Sequence, residues 1–295
     1  MSAMEITLAL GGGGSRGAAH IGVLRVLERE GYRIQGIAGT SVGSIIASLY
    51  AAGFTPDEIE SRITSIDFTR LYGRLLSDGP GLLGVSGIQS WLQSHLGERT
   101  FASLRIPCAV VAVDLVTRRE ITFREGGVLD AILGSIAVPG FFPPHHYGEY
   151  ELIDGGILDP VPVRAARSLA IKLPTVAVAL SSPPEGPYSS WGAPLPVPQV
   201  IAHGLTRFRI TQAFGIFLGA VDIGQRSIAA LRLDTDRPDI IIRPDVAGVA
   251  FLDAVDVKEV AHRGEVATTK VLSELKHATS WQARLVRRWN LRGLQ

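Results

Sequence analysis

The sequence predicts an α/β fold built on a mainly parallel β-sheet. A compact apolar strand over 6–10 is followed by a glycine-rich loop and a helix over 18–30. A second buried strand over 36–39 leads through a tight turn into an apolar helix over 42–52. This β-α-β-α order is typical of parallel strands joined by right-handed crossovers.

The chain is predicted to be one domain that carries an insertion and a tail. Its 295 residues are enough to bury a substantial core. The stretch 181–198 holds six of the 17 prolines, which is typical of a surface excursion or lid. Because helices and strands keep alternating beyond that stretch, we predict a single domain over 1–276 and a separate tail over 277–295.

Composition and charge exclude several classes of protein. Hydrophobic residues make up 46% of the chain and the formal net charge is +1, so no overall field attracts nucleic acid. The single cysteine, Cys108, lies in an apolar run and cannot form an intrachain disulfide. The N-terminus has no signal-peptide pattern, and no window approaches the roughly 18 uninterrupted apolar residues of a membrane span. We therefore expect a cytoplasmic protein without a nucleic-acid partner.

Hydrophobic spacing and turn residues predict the remaining elements. Thr55 is expected to cap a helix that starts at Pro56, because Thr is a good N-cap residue and Pro suits the first helical position. The stretch 67–87, with its scattered glycines, is expected to be a loop. Further helices are predicted over 88–96, 128–137, 163–169, 199–231 and 253–276. Further strands are predicted over 106–115, 120–123, 151–153, 175–180 and 239–242.

A serine between two glycines marks the junction between the second strand and its helix. Gly39-Thr40-Ser41-Val42-Gly43 fits the nucleophile-elbow pattern G-x-S-x-G. The turn strains the backbone of the serine, and side chains at 39 or 43 would crowd the neighbouring strand and helix. The hydroxyl of Ser41 would also lie at a helix N-terminus, which favours negative charge. Ser41 is therefore the predicted nucleophile.

Asp154 is the better candidate for the base that would take the proton of the serine. It ends a predicted strand and precedes Gly155 and Gly156, and active groups of parallel sheets collect at such strand ends. The alternative that Asp-Gly-Gly is merely a turn stays open. Among the seven histidines, only His145 and His146 are serious alternatives. They follow a rigid loop rich in Phe and Pro, and no neighbouring pattern marks either ring as oriented by a carboxylate.

The glycine-rich loop before the first helix can supply donors for an oxyanion. Glycines let consecutive backbone N–H groups turn toward one point and form an anion nest. The loop Gly12-Gly13-Gly14-Ser15-Arg16-Gly17 also fits the dinucleotide pattern G-x-G-x-x-G. That pattern needs an acidic residue at the end of the second strand, where this chain has Gly39-Thr40-Ser41. A P-loop is excluded as well, because no Gly-Lys-Ser/Thr follows the glycines.

Three sequence blocks together resemble the patatin-like phospholipase family. They are Gly12-Gly13-Gly14-Ser15-Arg16-Gly17, Gly39-Thr40-Ser41-Val42-Gly43 and Asp154-Gly155-Gly156, in that order. The block Ser135-Ile136-Ala137-Val138-Pro139, followed by Phe141-Phe142-Pro143-Pro144, resembles the family's segment ahead of the aspartate. The stretch 221–244 is similar to the bacterial, esterase-like branch of the family. The resemblance covers roughly residues 5–275 and leaves the tail uncovered.

The resemblance implies a three-layer α/β/α fold and a serine acyl hydrolase that cleaves lipid or carboxylic esters through an acyl-enzyme. Ser41 and Asp154 would form a Ser-Asp dyad without histidine, and Arg16 would shape the loop and add positive potential. The oxyanion hole would be formed by the backbone of Gly12, Gly13 and Gly14. The implied chemistry needs no metal and no cofactor. The alternative is a non-enzymatic regulatory or adaptor protein on a hydrolase-derived fold.

The last twenty residues combine positive charge with an apolar face. Five basic side chains and no acid lie there: Lys276, Arg284, Arg287, Arg288 and Arg292. Trp281, Leu285 and Trp289 recur every four residues and would line one side of a helix. A basic amphipathic helix with tryptophans is typical of a segment that lies in a membrane interface. Peripheral membrane contact and simple packing of this helix on the domain both stay open.

Overall fold

The computed structural model describes residues 4–66, 84–181, 205–251 and 253–283 together with Arg287. For 205–218 it describes the helical backbone alone. Apart from Ser181, the predicted lid over 181–198 lies outside the described residues, as does most of the predicted loop over 67–87. The tail residues 284–286 and 288–295 lie outside them as well.

Eight strands form one sheet in the described part of the chain. They are β1 (Met4–Leu10), β2 (Tyr32–Thr40), β3 (Cys108–Asp114), β4 (Arg119–Phe123), β5 (His145–Tyr147), β6 (Tyr150–Asp154), β7 (Thr175–Val178) and β8 (Ile240–Ile242). Their order is β5-β6-β3-β2-β1-β7-β8, and β4 pairs with β3 outside this path. Strands β1, β2, β3, β7 and β8 pair in parallel, whereas β4 and β6 run antiparallel to β3 and β5 runs antiparallel to β6. The predicted α/β fold with a mainly parallel sheet is confirmed.

Nine α-helices accompany the sheet within the described residues. They are α1 (Ala19–Arg29), α2 (Val42–Ala51), α3 (Pro56–Thr64), α4 (Ser86–Leu96), α5 (Val128–Ser135), α6 (Val163–Leu169), α7 (Leu205–Asp236), α8 (Val257–Lys270) and α9 (Leu272–Ala278). Short 3-10 turns occupy Gly14–Ala18, Phe101–Ser103 and Gly155–Ile157. None of the helices in these residues combines the length and the apolarity that crossing a membrane requires.

The two faces of the sheet differ in the size of their side chains. On one face, large residues such as Leu8 and Ile37 pack against α1, α2, α3, α4, α5 and α8. The other face presents small residues, including Ala9 and Ala38, on which α6 and α7 pack. Because successive side chains of a strand point to opposite faces, one strand serves both layers. The three-layer α/β/α arrangement is confirmed.

Local sequence signals are consistent with two helix ends, the start of α3 and the end of α1. The Thr55 hydroxyl accepts a hydrogen bond from the Glu58 amide at 3.3 Å, and the Glu58 carboxylate accepts one from the Thr55 amide at 2.8 Å. This reciprocal pair is a capping box, and Pro56 occupies the first position of α3 as predicted. Gly31 follows α1 with a φ of 80°, a conformation that suits glycine.

Three segments differ from the sequence prediction. His145–Tyr147, for which no strand was predicted, is the strand β5 and forms a hairpin with β6 around Gly148, whose φ is 60°. The strand that ends in Asp154 runs antiparallel to its neighbour β3, so the argument from parallel strand ends does not explain the placement of this aspartate. The single helix expected over 253–276 is divided at Val271 into α8 and α9.

Candidate active site

Ser41 occupies a strained turn between β2 and α2. Its φ is 54° and its ψ is −129°, a conformation that non-glycine residues rarely adopt. A Cβ on Gly39 would collide with the backbone of Gly43, and a Cβ on Gly43 would collide with the Leu10 carbonyl. The two glycines therefore allow the close crossing of β1, β2 and α2 that the predicted elbow requires.

The register of the sheet explains how Asp154 reaches this turn. Thr40, the last residue of β2, pairs with Val111 of β3, and Asp154, the last residue of β6, pairs with the next residue, Ala112. β4 pairs with residues 110–114 of β3 and therefore occupies one edge of that strand. Strands β2 and β6 both pair with the other edge of β3, one after the other along its length. The C-terminal ends of β2 and β6 therefore face each other, and the chain leaves the sheet at Thr40 and at Asp154.

Ser41 and Asp154 form a direct hydrogen bond at this meeting point. The Ser41 hydroxyl donates to Oδ2 of Asp154 at 2.6 Å, and the Gly156 amide donates to Oδ1 at 2.7 Å. Asp154 is 1% exposed and Ser41 is 5% exposed. Burial raises the pKa of Asp154 to about 6, and the hydrogen bonds from Ser41 and Gly156 limit that rise. The carboxylate is thus a stronger base than a solvent-exposed aspartate.

The end of α5 holds both members of this pair in place. The Ser135 hydroxyl accepts a hydrogen bond from the Ser41 amide at 2.8 Å and donates to the Val111 carbonyl at 2.6 Å. Two residues later, the Ala137 carbonyl accepts a hydrogen bond from the Asp154 amide at 3.0 Å. In sequence this block resembles a family feature, but no sequence pattern indicated a role for Ser135. The geometry makes it the residue that ties the elbow to the central strand.

The glycine-rich loop lies against the elbow. A Cβ on Gly12 would approach the Ser41 Cβ to 3.2 Å. The Gly12 amide already donates to the Pro160 carbonyl at 2.9 Å. In contrast, the hydrogen bonds of the described residues include none from the amides of Gly13 and Gly14. These two amides are the donors of the loop that remain available to a ligand.

Arg16 is a buried residue of the loop and not a surface side chain. It is 7% exposed, and its Nε donates to the Val249 carbonyl at 2.7 Å. Its Nη1 lies 3.8 Å from Oδ1 of Asp222 on α7. Burial lowers the pKa of Arg16, and Asp222 opposes that change. The side chain joins the glycine-rich loop to the C-terminal half of the domain and places a positive charge beside it.

Two cavities adjoin Ser41, and they differ in chemistry. The first has a volume of about 140 Å³. Its walls are apolar side chains of α2, α3 and α4, such as Ile45, Ile63 and Trp91. The second, called the polar cavity below, has a volume of about 30 Å³ and a lining that is more polar than that of the first. It is bordered by Asp154 and by three residues of α7: Asp222, Gln225 and Arg226. In sequence these three residues belong to a predicted helical segment, and no motif marks them as part of a site.

The positions of three histidines among the described residues, His20, His145 and His146, bear on the choice of the base at Ser41. His145 does have a carboxylate partner, contrary to expectation, since its Nε2 lies 3.1 Å from Oδ1 of Asp130. Neither His145 nor His146 borders the two cavities at Ser41. His20 is fully buried with Nε2 2.7 Å from the Gly11 carbonyl oxygen, and burial lowers its pKa to about 4. The ring of His20 is therefore neutral and supports the glycine-rich loop.

Two further expectations concern metals and the tail. Among the described residues, no group of three or more His, Cys, Asp or Glu side chains is arranged to hold a metal ion. Trp281 is 68% exposed, and Arg287 pairs with Asp239. The other tail residues named in the membrane prediction, apart from Lys276 on α9, lie outside the described residues.

Comparison with known proteins gives three kinds of match. The family model for patatin-like phospholipase matches residues 8–167. An uncharacterized NTE family protein of Mycobacterium tuberculosis is 37% identical over 188 residues, which cover 63% of this chain and 52% of the relative. A second NTE family protein of that species is 28% identical over 282 residues, which cover 91% of this chain and 46% of the relative.

More distant matches extend the comparison to an animal protein and a solved structure. The patatin-like phospholipase domain-containing protein 7 of Rattus norvegicus is 26% identical over 194 residues, covering 63% of this chain and 14% of that protein. The crystal structure of VipD from Legionella pneumophila matches with a TM-score of 0.56 at 13% identity, over 91% of this chain and 66% of that one. The chain spans about half the length of the mycobacterial relatives. The family model matches more than half of the chain and includes the elbow, the glycine-rich loop and Asp154, so the chain belongs to the patatin-like phospholipase family.

Proposed function

We propose that this chain is a serine acyl hydrolase that cleaves lipid or carboxylic esters through a Ser41–Asp154 dyad. The observation that carries the proposal is the 2.6 Å hydrogen bond from the Ser41 hydroxyl to a buried carboxylate, made at a strained elbow. A nucleophile within hydrogen-bond reach of a base is the arrangement that covalent catalysis requires. Family membership supports the same reaction class.

In the first step, the Ser41 oxygen attacks the ester carbonyl while Oδ2 of Asp154 takes its proton. The carbonyl oxygen becomes an oxyanion, and collapse of the tetrahedral intermediate returns the proton to the leaving alcohol and leaves an acyl group on Ser41. Water then hydrolyses the acyl-enzyme with Asp154 again as the base. An aspartate is a weak base toward a hydroxyl, so its raised pKa and the stabilisation of the oxyanion must both contribute.

The oxyanion donors in this proposal are the amides of Gly13 and Gly14. They have no acceptor among the described residues, whereas the Gly12 amide is engaged with Pro160. Gly12 then contributes to the close approach of the loop to Ser41. The N-terminus of α2, which begins at Val42, adds the positive end of a helix dipole. Preorganised donors of this kind typically contribute several kcal/mol to an acyl transfer.

The apolar cavity supports an acyl group as the part of the substrate that binds there. A comparable cavity of about 150 Å³ lined by aliphatic and aromatic side chains holds a benzene molecule. The cavity of about 140 Å³ at Ser41 therefore suits an acyl chain of about six carbons inside the described walls. A lipid ester as substrate is also supported by membership of the patatin-like phospholipase family and by the similarity to the rat patatin-like phospholipase domain-containing protein 7.

Substitution of each dyad residue tests the proposal. We expect Ser41→Ala and Asp154→Asn each to abolish hydrolysis of p-nitrophenyl esters while circular dichroism shows a folded protein. The double variant should be no worse than either single variant, because groups that act as a unit are not additive. A screen of p-nitrophenyl esters, phospholipids and lysophospholipids, with Ser41→Ala as the blank, then identifies the substrate class.

The matched control is His145→Ala, because the Asp130 carboxylate lies within hydrogen-bond distance of His145. We expect this variant to keep its activity. Loss of activity in His145→Ala combined with survival in Asp154→Asn would assign the base to histidine. Labelling by a serine-reactive fluorophosphonate separates an enzyme from an adaptor on the same fold, since an adaptor would leave Ser41 unlabelled.

A further inference from the structure

The polar cavity beside Ser41 has the size and the lining of a water site. Its volume of about 30 Å³ exceeds the roughly 10–15 Å³ that one water molecule needs. It borders Ser41 and Asp154 on the side of α7, whereas the apolar cavity borders Ser41 on the side of α2 and α4. An acyl group in the apolar cavity would leave this polar space open next to the base.

Gln225 of α7 and Asp154 line this cavity together. A Cβ built on Gly156 would lie 2.9 Å from Oδ1 of Asp154 and 3.0 Å from Nε2 of Gln225. The amide nitrogen and that carboxylate oxygen are therefore separated by no more than 2.9 plus 3.0 Å. One water molecule spans such a gap with two ordinary hydrogen bonds.

Within the described part of the chain, Gln225 is also the polar α7 residue of this cavity that has no hydrogen-bond partner. Asp222 and Arg226 pair with each other, with Nε of Arg226 2.6 Å from the Asp222 carboxylate, and Asp222 also faces Arg16. The hydrogen bonds of the described residues include none made by the Gln225 carboxamide. A carboxamide offers both a donor and an acceptor, so it can fix the orientation of a water molecule.

We propose that Gln225 orients the water molecule that hydrolyses the acyl-enzyme, a role that rests on the proposed hydrolase function. Acylation consumes the hydroxyl hydrogen of Ser41, so Oδ2 of Asp154 loses the donor that it has in the free protein. Oδ1 keeps the hydrogen bond from the Gly156 amide. A water molecule held by Gln225 beside Oδ1 lies next to Oδ2 as well, because both oxygens belong to the same carboxylate, and it can then donate to the freed Oδ2.

The step balances with the residues already named. The water oxygen forms a bond to the acyl carbon while Asp154 takes one water proton, and the carbonyl oxygen becomes the oxyanion. The tetrahedral intermediate then collapses, the bond from the acyl carbon to the Ser41 oxygen breaks, and Asp154 returns the proton to that oxygen. A carboxylic acid leaves, and no other reactant is required. Gln225 acts by position only and exchanges no proton.

Pre-steady-state kinetics test this assignment. We would compare Gln225→Met, which keeps the length of the side chain, with the wild-type protein and with Ser227→Ala, an exposed site on the same helix. With p-nitrophenyl butyrate, we expect Gln225→Met to release one equivalent of p-nitrophenol rapidly and then to turn over at least about tenfold more slowly. Because deacylation follows the first irreversible step, kcat and KM should fall together and kcat/KM should stay within about twofold.

Three readouts decide between outcomes. Intact mass spectrometry should show an acyl group on Ser41 accumulating in Gln225→Met and not in Ser227→Ala, and the burst amplitude counts the correctly folded sites. If kcat/KM falls in proportion to kcat and no adduct accumulates, Gln225 acts in acylation or in folding and the proposal is wrong. An unchanged kcat would also overturn it. Failure of the wild-type protein to release p-nitrophenol would instead contradict the proposed hydrolase function itself, and the role of Gln225 with it.

Discussion

Replacement of Asp159 by asparagine should change how the stability of this protein depends on pH. Asp159 is fully buried, and neither carboxylate oxygen has a hydrogen-bond partner among the described residues. Burial raises the pKa of Asp159 to about 7, Glu120 and Asp236 add to the rise, and Arg232 and Arg164 oppose it. The carboxyl group is therefore largely protonated in the folded state at pH 6, whereas in the unfolded chain it is ionised.

The sign and size of the effect follow from linkage. Between the unfolded value of 3.8 and the folded value of about 7, the native state holds one proton that the unfolded state has lost, so the free energy of unfolding falls as pH rises. Each pH unit is worth about 1.36 kcal/mol, so the complete loss approaches about 4 kcal/mol and stops above pH 7. About 3 kcal/mol of it lies between pH 5 and pH 8. Asp159→Asn removes this dependence, because the amide stays neutral.

Urea denaturation followed by tryptophan fluorescence at pH 5, 6, 7 and 8 measures the difference. We expect Asp159→Asn to gain stability relative to the wild-type protein as pH rises, by about 3 kcal/mol over this range. The raised pKa of Asp154 acts equally in both proteins and cancels in the comparison. Glu98→Gln, an exposed site, controls for the change in net charge. Parallel pH profiles for the wild-type protein and Asp159→Asn would refute the reasoning.

Four further predictions concern the site and the tail. The acid limb of kcat/KM should lie near pH 6, the pKa of Asp154, and should persist in His145→Ala; a limb that moved with this histidine would count against the dyad. Ser135→Ala should lower the free energy of unfolding by about 1–3 kcal/mol in urea titrations, because it leaves a buried amide and a buried carbonyl unpaired, and should lower kcat; wild-type values for both would remove its positioning role. Trp91→Ala should enlarge the cavity and admit the roughly two methylenes by which octanoate exceeds its present length of about six carbons. Because each buried methylene contributes about 0.8 kcal/mol, the ratio of kcat/KM for p-nitrophenyl octanoate to that for butyrate should rise by about tenfold. An unchanged ratio would place the acyl chain elsewhere. Deletion of 284–295 should leave activity on soluble esters intact and abolish binding to anionic vesicles in a sedimentation assay; unchanged vesicle binding would end the membrane hypothesis, which rests on sequence alone.

The sequence alone determined the features that depend on local backbone geometry. The elbow at Ser41 was predictable because only glycines fit at 39 and 43, and the cap of α3 because Thr55 and Glu58 lie within one turn of each other. The parallel order of the first strands followed from their alternation with helices. The pairing of Ser41 with Asp154 was expected from three blocks of sequence acting together, and the structure places the two side chains in contact.

Local signals were insufficient where the contact depended on strand pairing. The hairpin around Gly148 was missed because β5 has only three residues, too few to show a period. A glycine between two aromatic residues, Tyr147 and Tyr150, was the available signal. For the same reason the antiparallel direction of β6 was not foreseen. That direction decides why Asp154 faces the end of β2, since only antiparallel pairing with β3 brings the two C-terminal ends together.

Tertiary structure alone decided which other side chains surround the dyad. Ser41 and Asp154 are 113 residues apart in the chain, and Ser135 is 94 residues from the amide that it binds. Gln225 lines the same cavity as Asp154 because α7 packs on the alanine-lined face of the sheet, where small side chains allow a close approach. Such contacts depend on the summed packing of whole layers, which no short stretch of sequence encodes. The local sequence around Ser41 thus determines the elbow, whereas the packing of the assembled fold determines which side chains surround Ser41.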